Sequence, residues 1–167
     1  MPGPVFLEIT AHRFSVTAMA DGPVAERLST STIARGGYMA GKRRSLHIEG
    51  VQHGAPIPMG ALVGNVLFSS GIMGIDPATG TPPNDREHQC ELAFDHMKTL
   101  VENAGGTLED IGSVKVWMKD RSQREAVNKP WLKLFPDENN RPARHAIEYD
   151  AFPPGVQVQL EIIAVLG

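Results

Sequence analysis

A chain of 167 residues, 41% of them apolar and 21% charged, is long enough for one domain with a sizeable core and ordinary in make-up for a soluble globular protein. A net charge of −3 argues against nucleic acid as the principal partner, because phosphate-binding surfaces usually carry a basic excess. No run approaches the roughly 18 apolar residues of a membrane span. The single Cys90 excludes an internal disulfide, and no basic segment leads into an apolar one at the N-terminus. A cytoplasmic protein without a membrane partner is expected.

Residues 1–41 carry two short apolar runs, Val5–Ile9 and Phe14–Met19, then the polar stretch Ser29–Thr32, with no caps or sustained periodicity. They read as an N-terminal extension, partly extended or disordered, with at most one added strand. A single domain is expected over 42–167. Leu46 and Ile48 alternate with polar neighbours as a first strand. Gly60–Val63 and Val66–Ser70 flank Gly64-Asn65, a two-residue hairpin signal because both residues tolerate positive φ. Asp76–Gly80 is a turn by composition.

The strongest helix follows. Asn84 or Asp85 can cap it, with Glu87 three residues after Asn84 in capping-box position. Cys90, Ala93, Phe94, Met97, Leu100, Val101 and Ala104 recur at spacings of three and four and mark one buried stripe. Gly105-Gly106 ends it as a left-handed cap does. Val114, Val116 and Met118 alternate with polar residues as a half-buried strand. Ser122 and Glu125 form a second capping box, opening a helix with Val127, Trp131 and Leu134 inward. Pro130 predicts a kink or a restart there.

Two strands close the chain, Ala143–Asp150 and Val156–Val165, read as a hairpin turning through 151–155. The order implies an α+β fold, one mixed sheet with two helices on one face. On the last strand Val156, Val158, Leu160 and Ile162 suit the helices. Gln157, Gln159, Glu161 and Ile163 form the other set, which suits a subunit interface. The hairpin places Arg144 beside Gln159 or Glu161. A guanidinium next to a carboxylate is either a structural cross-strand pair or a small-anion clamp, since the planar fork matches a carboxylate bidentately.

Four segments carry a resemblance. They are Val63–Gly71, Ala104–Ile111 continuing through Val114–Asp120, Arg141-Pro142-Ala143-Arg144, and Leu160–Ala164. In this order and spacing, from Leu46 to the C-terminus, the chain resembles the RidA/YjgF family. The resemblance implies a chorismate-mutase-like (YjgF) fold assembled as a homotrimer, with small carboxylate-bearing molecules bound in clefts between subunits. Family members include deaminases that hydrolyse enamines and imines to 2-oxo acids with release of ammonia; others have been described as endoribonucleases. By the same resemblance Arg144 binds the substrate carboxylate, Ser70 and Gly71 line the cleft through their backbone, and Asn128 joins from the second helix. An Asn128 that is merely a polar group ahead of Pro130 is the plain alternative.

Departures bear on the chemistry. Ile57 stands where the family usually contributes a Tyr, and Ala146 where a small nucleophilic side chain sometimes lies. Gln159 stands where deaminating members place a carboxylate; an amide can hold a water but cannot take its proton. Glu161 lies about 7 Å further along the same face. His53, on a loop before the altered segment, is a candidate proton carrier. His145 alternates to the face opposite Arg144 and is expected to pack toward the helices. No glycine-rich phosphate loop appears, and His88 and His96 lack a third ligand on their helix, so no cofactor and no metal are expected. The alternative to a hydrolase is a non-catalytic carboxylate-binding module of the same fold.

Overall fold

The computed structural model describes residues 43–167; the N-terminal extension expected over 1–41 lies outside the described residues. Seven strands and two helices follow in the order β1 (Arg44–Leu46), β2 (Gly60–Val63), β3 (Val66–Ser69), β4 (Ile72–Met73), α1 (Arg86–Ala104), β5 (Ile111–Met118), α2 (Glu125–Leu134), β6 (Ala143–Glu148) and β7 (Val158–Val165). The β2–β3 hairpin turns through Gly64 and Asn65 as expected, but only Gly64 takes positive φ, at 62°. Asn65 instead ties the turn to the chain end, its Nδ2 donating to the Leu166 carbonyl at 3.0 Å.

α1 forms as its periodicity predicts. The Asp85 side chain accepts from the Glu87 amide, and Gly105 closes the helix in the left-handed region at φ 97°. Its stripe, including Phe94, Met97 and Leu100, is fully buried against the sheet. Gln89 is buried too, and its amide is satisfied. It donates to the Pro83 and Gly155 carbonyls at 2.6 and 2.8 Å and accepts from the Gln157 amide at 2.9 Å. One side chain thus locks the start of α1 to the approach to β7. Close packing here needs Gly74, where a Cβ would run into the backbone of Gln89.

α2 departs from its predicted start and from its predicted break. Asp120, not Ser122, supplies the cap, accepting from the Ser122 amide at 2.9 Å at the head of a 3₁₀ turn over Arg121–Gln123. α2 itself begins without a side-chain cap and runs through Pro130 without stopping. Buried Val127, Pro130 and Trp131 hold it against α1 and the sheet, which offsets the missing proline donor.

The predicted terminal hairpin does not form. β5 lies between β6 and β7, parallel to β6 and antiparallel to β7, in a mixed sheet of order β1-β2-β3-β7-β5-β6. The physical reason is that β5, α2 and β6 form a strand–helix–strand unit, whose crossover favours parallel neighbours. Both helices cover the face bearing Leu67, Val114, Val116, Leu160 and Ile162. The opposite face carries Phe68, Lys115, Trp117, Gln159, Glu161 and Ile163. β4 also pairs with β7, beyond β3 along the same strand, and the Ser69 hydroxyl accepts from the Ile162 amide where the chain steps between them.

The packing of α1 on the sheet is open to two tests. Gly74→Ala should lower stability by about 1–3 kcal/mol, because the atoms it meets are backbone and cannot rotate away. A reduced urea midpoint at unchanged m-value would register it, and an unmoved midpoint would show that α1 slides freely. The Cys90 thiol is fully buried, and desolvation pushes its pKa up to about 12. It should stay inert to a thiol reagent at pH 8 until denaturant is added, whereas fast labelling of the native protein would contradict the packing.

Candidate functional site

The topology separates the predicted site residues into two groups on opposite faces of the sheet. Arg144 on β6 pairs in register with Val114, and His145 with Lys115. Since partners across a ladder share a face, Arg144 points to the helix side and His145 to the open side. His145 is exposed there rather than packed against the helices. Arg144 meets neither Gln159 nor Glu161. The Glu161 carboxylate instead accepts from Lys115 Nζ at 2.8 Å, so both the predicted Arg144–Glu161 pair and the predicted clamp are replaced.

What surrounds Arg144 comes from α2. Its guanidinium donates to Asn128 Oδ1 at 3.0 Å and lies 4.6 Å over the ring of Trp131. Asn128 Nδ2 donates in turn to Glu125 at 3.2 Å. Only one amide orientation satisfies both neighbours, because a guanidinium only donates and a carboxylate only accepts. Asn128 and Trp131 therefore fix the fork, one by its carbonyl and one by its π-face. No acidic side chain forms an ion pair with Arg144 among the described residues. Burial first, then the positive charges of Arg124 and Arg141, pull its pKa below the usual guanidinium value. Apart from the bond to Asn128, no guanidinium N–H of Arg144 has a hydrogen-bond partner among the described residues, a geometry that suits an anion. The adjoining cavity has a floor of Val116, Met118 and Ala146.

The second group sits on the open face. Gly71 lies directly under Gln159, where a Cβ would come within 2.6 Å of Nε2 and 2.7 Å of Oε1. Only glycine admits the Gln159 amide at that spot. Ser70 is beside it, but its backbone amide donates to the Met59 carbonyl at 2.9 Å and its hydroxyl to the Pro58 carbonyl at 2.7 Å. Ser70 thus anchors the preceding loop, and its amide, expected to serve the cleft, is engaged with Met59 instead. That loop carries Ile57, which is 49% exposed, and half-buried His53. His53 Nε2 is buried with no hydrogen-bond partner among the described residues.

The sequence pattern assigns Trp131 only to the core and gives no hint of its service as a platform for Arg144; it also passes over Arg121 and Arg124 beside the cavity. A signal for the arginines existed, since Arg121, Arg124 and Asn128 follow spacings of three and four, one face of a helical run. Among the described residues no cluster of three or more His, Cys, Asp or Glu side chains is arranged to hold a metal ion, and no helix is long and apolar enough to cross a membrane.

The described residues form an α+β domain in which the Arg144 guanidinium, held by Asn128 and Trp131, lies beside a small cavity also lined by Arg121 and Arg124. A family model described as endoribonuclease L-PSP matches residues 58–166. The 2-iminobutanoate/2-iminopropanoate deaminase of Escherichia coli K12 is 33% identical over 111 residues, covering 66% of this chain and 87% of that protein. The structure of RidA from the Antarctic bacterium Psychrobacter sp. superposes with a TM-score of 0.68 at 27% identity, covering 74% of this chain and 99% of that one. Escherichia coli TdcF with bound serine gives a TM-score of 0.68 at 25% identity, with 74% and 99% covered. The chain belongs to the RidA/YjgF family.

Burial draws the pKa of His53 below 6.5. Its folded pKa is depressed, so between that value and 6.5 the unfolded chain binds more protons and stability rises with pH. The contribution is complete above about pH 6.5 and is lost as pH falls through the folded pKa. An NMR titration should place the His53 midpoint below 6.5; a midpoint above it would mean that a negative partner reaches the ring.

Proposed function

We propose that this protein binds a small enamine or imine carboxylate and hydrolyses it to the 2-oxo acid, releasing ammonia. The observation that carries the reading is the Arg144 guanidinium, held by Asn128 and Trp131 and paired with no acid among the described residues. The name of the Escherichia coli relative, a deaminase of 2-imino acids, supports the same substrate class.

Arg144 and Gln159 stand on different faces of the sheet with β5 between them. One copy cannot bring them to one ligand, so the working cleft lies between copies, in a homotrimer. The open face suits such an assembly, since Phe68 and Ile163 sit opposite each other on neighbouring strands and are 46% and 38% exposed. Gly71 and Ile57 belong to this half of the cleft. With the carboxylate on Arg144, water adds to the imine carbon and the amine leaves as ammonia. Gln159, held over Gly71, orients that water without taking its proton. Glu161, already paired with Lys115, is a weaker candidate for proton transfer than its charge suggests, and His53 remains the neutral base nearest the loop.

Gln159 also favours a second reading, a carboxylate-binding module without turnover. An ammonia-release assay with freshly generated 2-iminobutyrate separates the two. The wild type should accelerate release, and Arg144→Ala should lower kcat/KM on the order of 100-fold through loss of charge-assisted hydrogen bonds. No acceleration by wild type, with 2-oxobutyrate still bound in an Arg144-dependent way, would reject the hydrolase and retain the binder.

A further inference from the structure

Gln159, the group proposed to hold the hydrolytic water, stands in a row of otherwise apolar side chains. Met73 pairs with it from β4 and Trp117 from β5, and Trp117 pairs in turn with Ile147 on β6. Partners directly across a ladder share a face, with Cβ atoms roughly 5 Å apart, so the whole row belongs to the open face. Every member of it is half-buried. The next row along the same strands differs in chemistry, since Glu161, Lys115 and His145 make it. Trp117 also heads an aromatic series. The Tyr149 ring meets it edge-on with centroids 5.8 Å apart, and Phe152 meets Tyr149 in the same way at 5.1 Å. Tyr149 is 42% exposed. The indole Nε1 is buried with no hydrogen-bond partner among the described residues. What Trp117 presents on the open face is therefore carbon, with no donor for a polar group.

One amide set among aromatic and aliphatic side chains fits a ligand whose reacting atoms face the amide and whose remainder is flat and apolar. We infer that Trp117, backed by Tyr149, receives the substrate's side chain, and that this side chain is aromatic. The inference rests on the proposed placement of the substrate between Arg144 of one copy and Gln159 of the next, and narrows it. Trp117 is then a specificity-determining residue, adjacent to the group that orients the water. The substrate class becomes the 2-imino acids of aromatic amino acids. Water held by Gln159 adds to the imine carbon, ammonia leaves, and an aromatic 2-oxo acid is released. A ring on Trp117 repeats the edge-on contact that Tyr149 already makes with it, which an ethyl group cannot do.

The test is calorimetric titration of the full chain with phenylpyruvate and with 2-oxobutyrate, stable probes that share the 2-oxo carboxylate and differ in the side chain. Wild type should bind phenylpyruvate tighter by about tenfold or more, the scale of burying a phenyl ring against an aromatic face. Trp117→Leu should bring that ratio toward one while 2-oxobutyrate still binds, and Trp117→Phe, which restores a ring, should keep most of the preference. Arg144→Ala should weaken both acids. If 2-oxobutyrate binds through Arg144 but wild type shows no preference, or Trp117→Leu keeps the full preference, the aromatic inference falls and the carboxylate reading stands. Should Trp117→Leu lose both acids alike, Tyr149→Leu at the exposed part of the series decides. A ratio cut severalfold there upholds the inference, and an unchanged ratio overturns it. If neither acid binds wild type, the inference and the carboxylate reading fall together.

Discussion

The insertion of β5 between β6 and β7 is the constraint on which the molecule depends. It turns the last two strands from a hairpin into neighbours of a common central strand, one parallel and one antiparallel. Because side chains alternate across a strand, that placement also decides which face each functional residue takes. Arg144 is sent to the helix side, where α2 can hold it, and Gln159 to the open side, over Gly71. Arg144 and Gln159 therefore do not meet within one copy, which is why the proposed site draws on two.

The proposed anion site at Arg144 rests on what the side chain lacks. A structural arginine usually finds a carboxylate, yet Glu161 lies on the opposite face of the sheet with Lys115, and Glu125, nearby on α2, is hydrogen-bonded to Asn128. The remaining neighbours are an amide oxygen, an indole face and further cations. The fork is thus ordered by the fold in advance, which on the proposed reading reduces the conformational cost of binding. Gln89 plays the corresponding structural part elsewhere. Buried and satisfied at both ends, it fixes α1 to the chain just before β7, an interior strand of the sheet.

Much of this was legible in the sequence, and the misses have physical causes. Period-two and period-3.6 patterns locate the longer strands and α1, because burial on one face imposes those periods, while cap chemistry points to Asn84 or Asp85, of which Asp85 caps, and to Gly105 at the far end. β4 escaped because two residues cannot display a period. The terminal hairpin failed because a short connection between alternating segments looks the same whether the strands pair or flank a third. The crossover through α2 was the clue that distinguished them. Arg144 and Asn128 were reached through resemblance, and the structure brings them into contact. Their relation to Gln159 was misplaced by the same pairing error. Trp131 was read correctly as buried, but an aromatic stripe position does not disclose that its face serves a cation.

The central claim is that the site is assembled from two copies, Arg144 from one and Gln159 with Gly71 from the next. It is tested most directly by subunit complementation. Arg144→Ala and Gln159→Trp chains, each binding no 2-oxobutyrate alone, are unfolded together, refolded as hybrids and titrated. In a closed ring with random mixing, roughly a quarter of the clefts receive both wild-type halves. Recovery of binding at about that level is the predicted result. Hybrids that form, as shown by mass spectrometry, yet bind nothing would place both residues in the same copy's site and contradict the account.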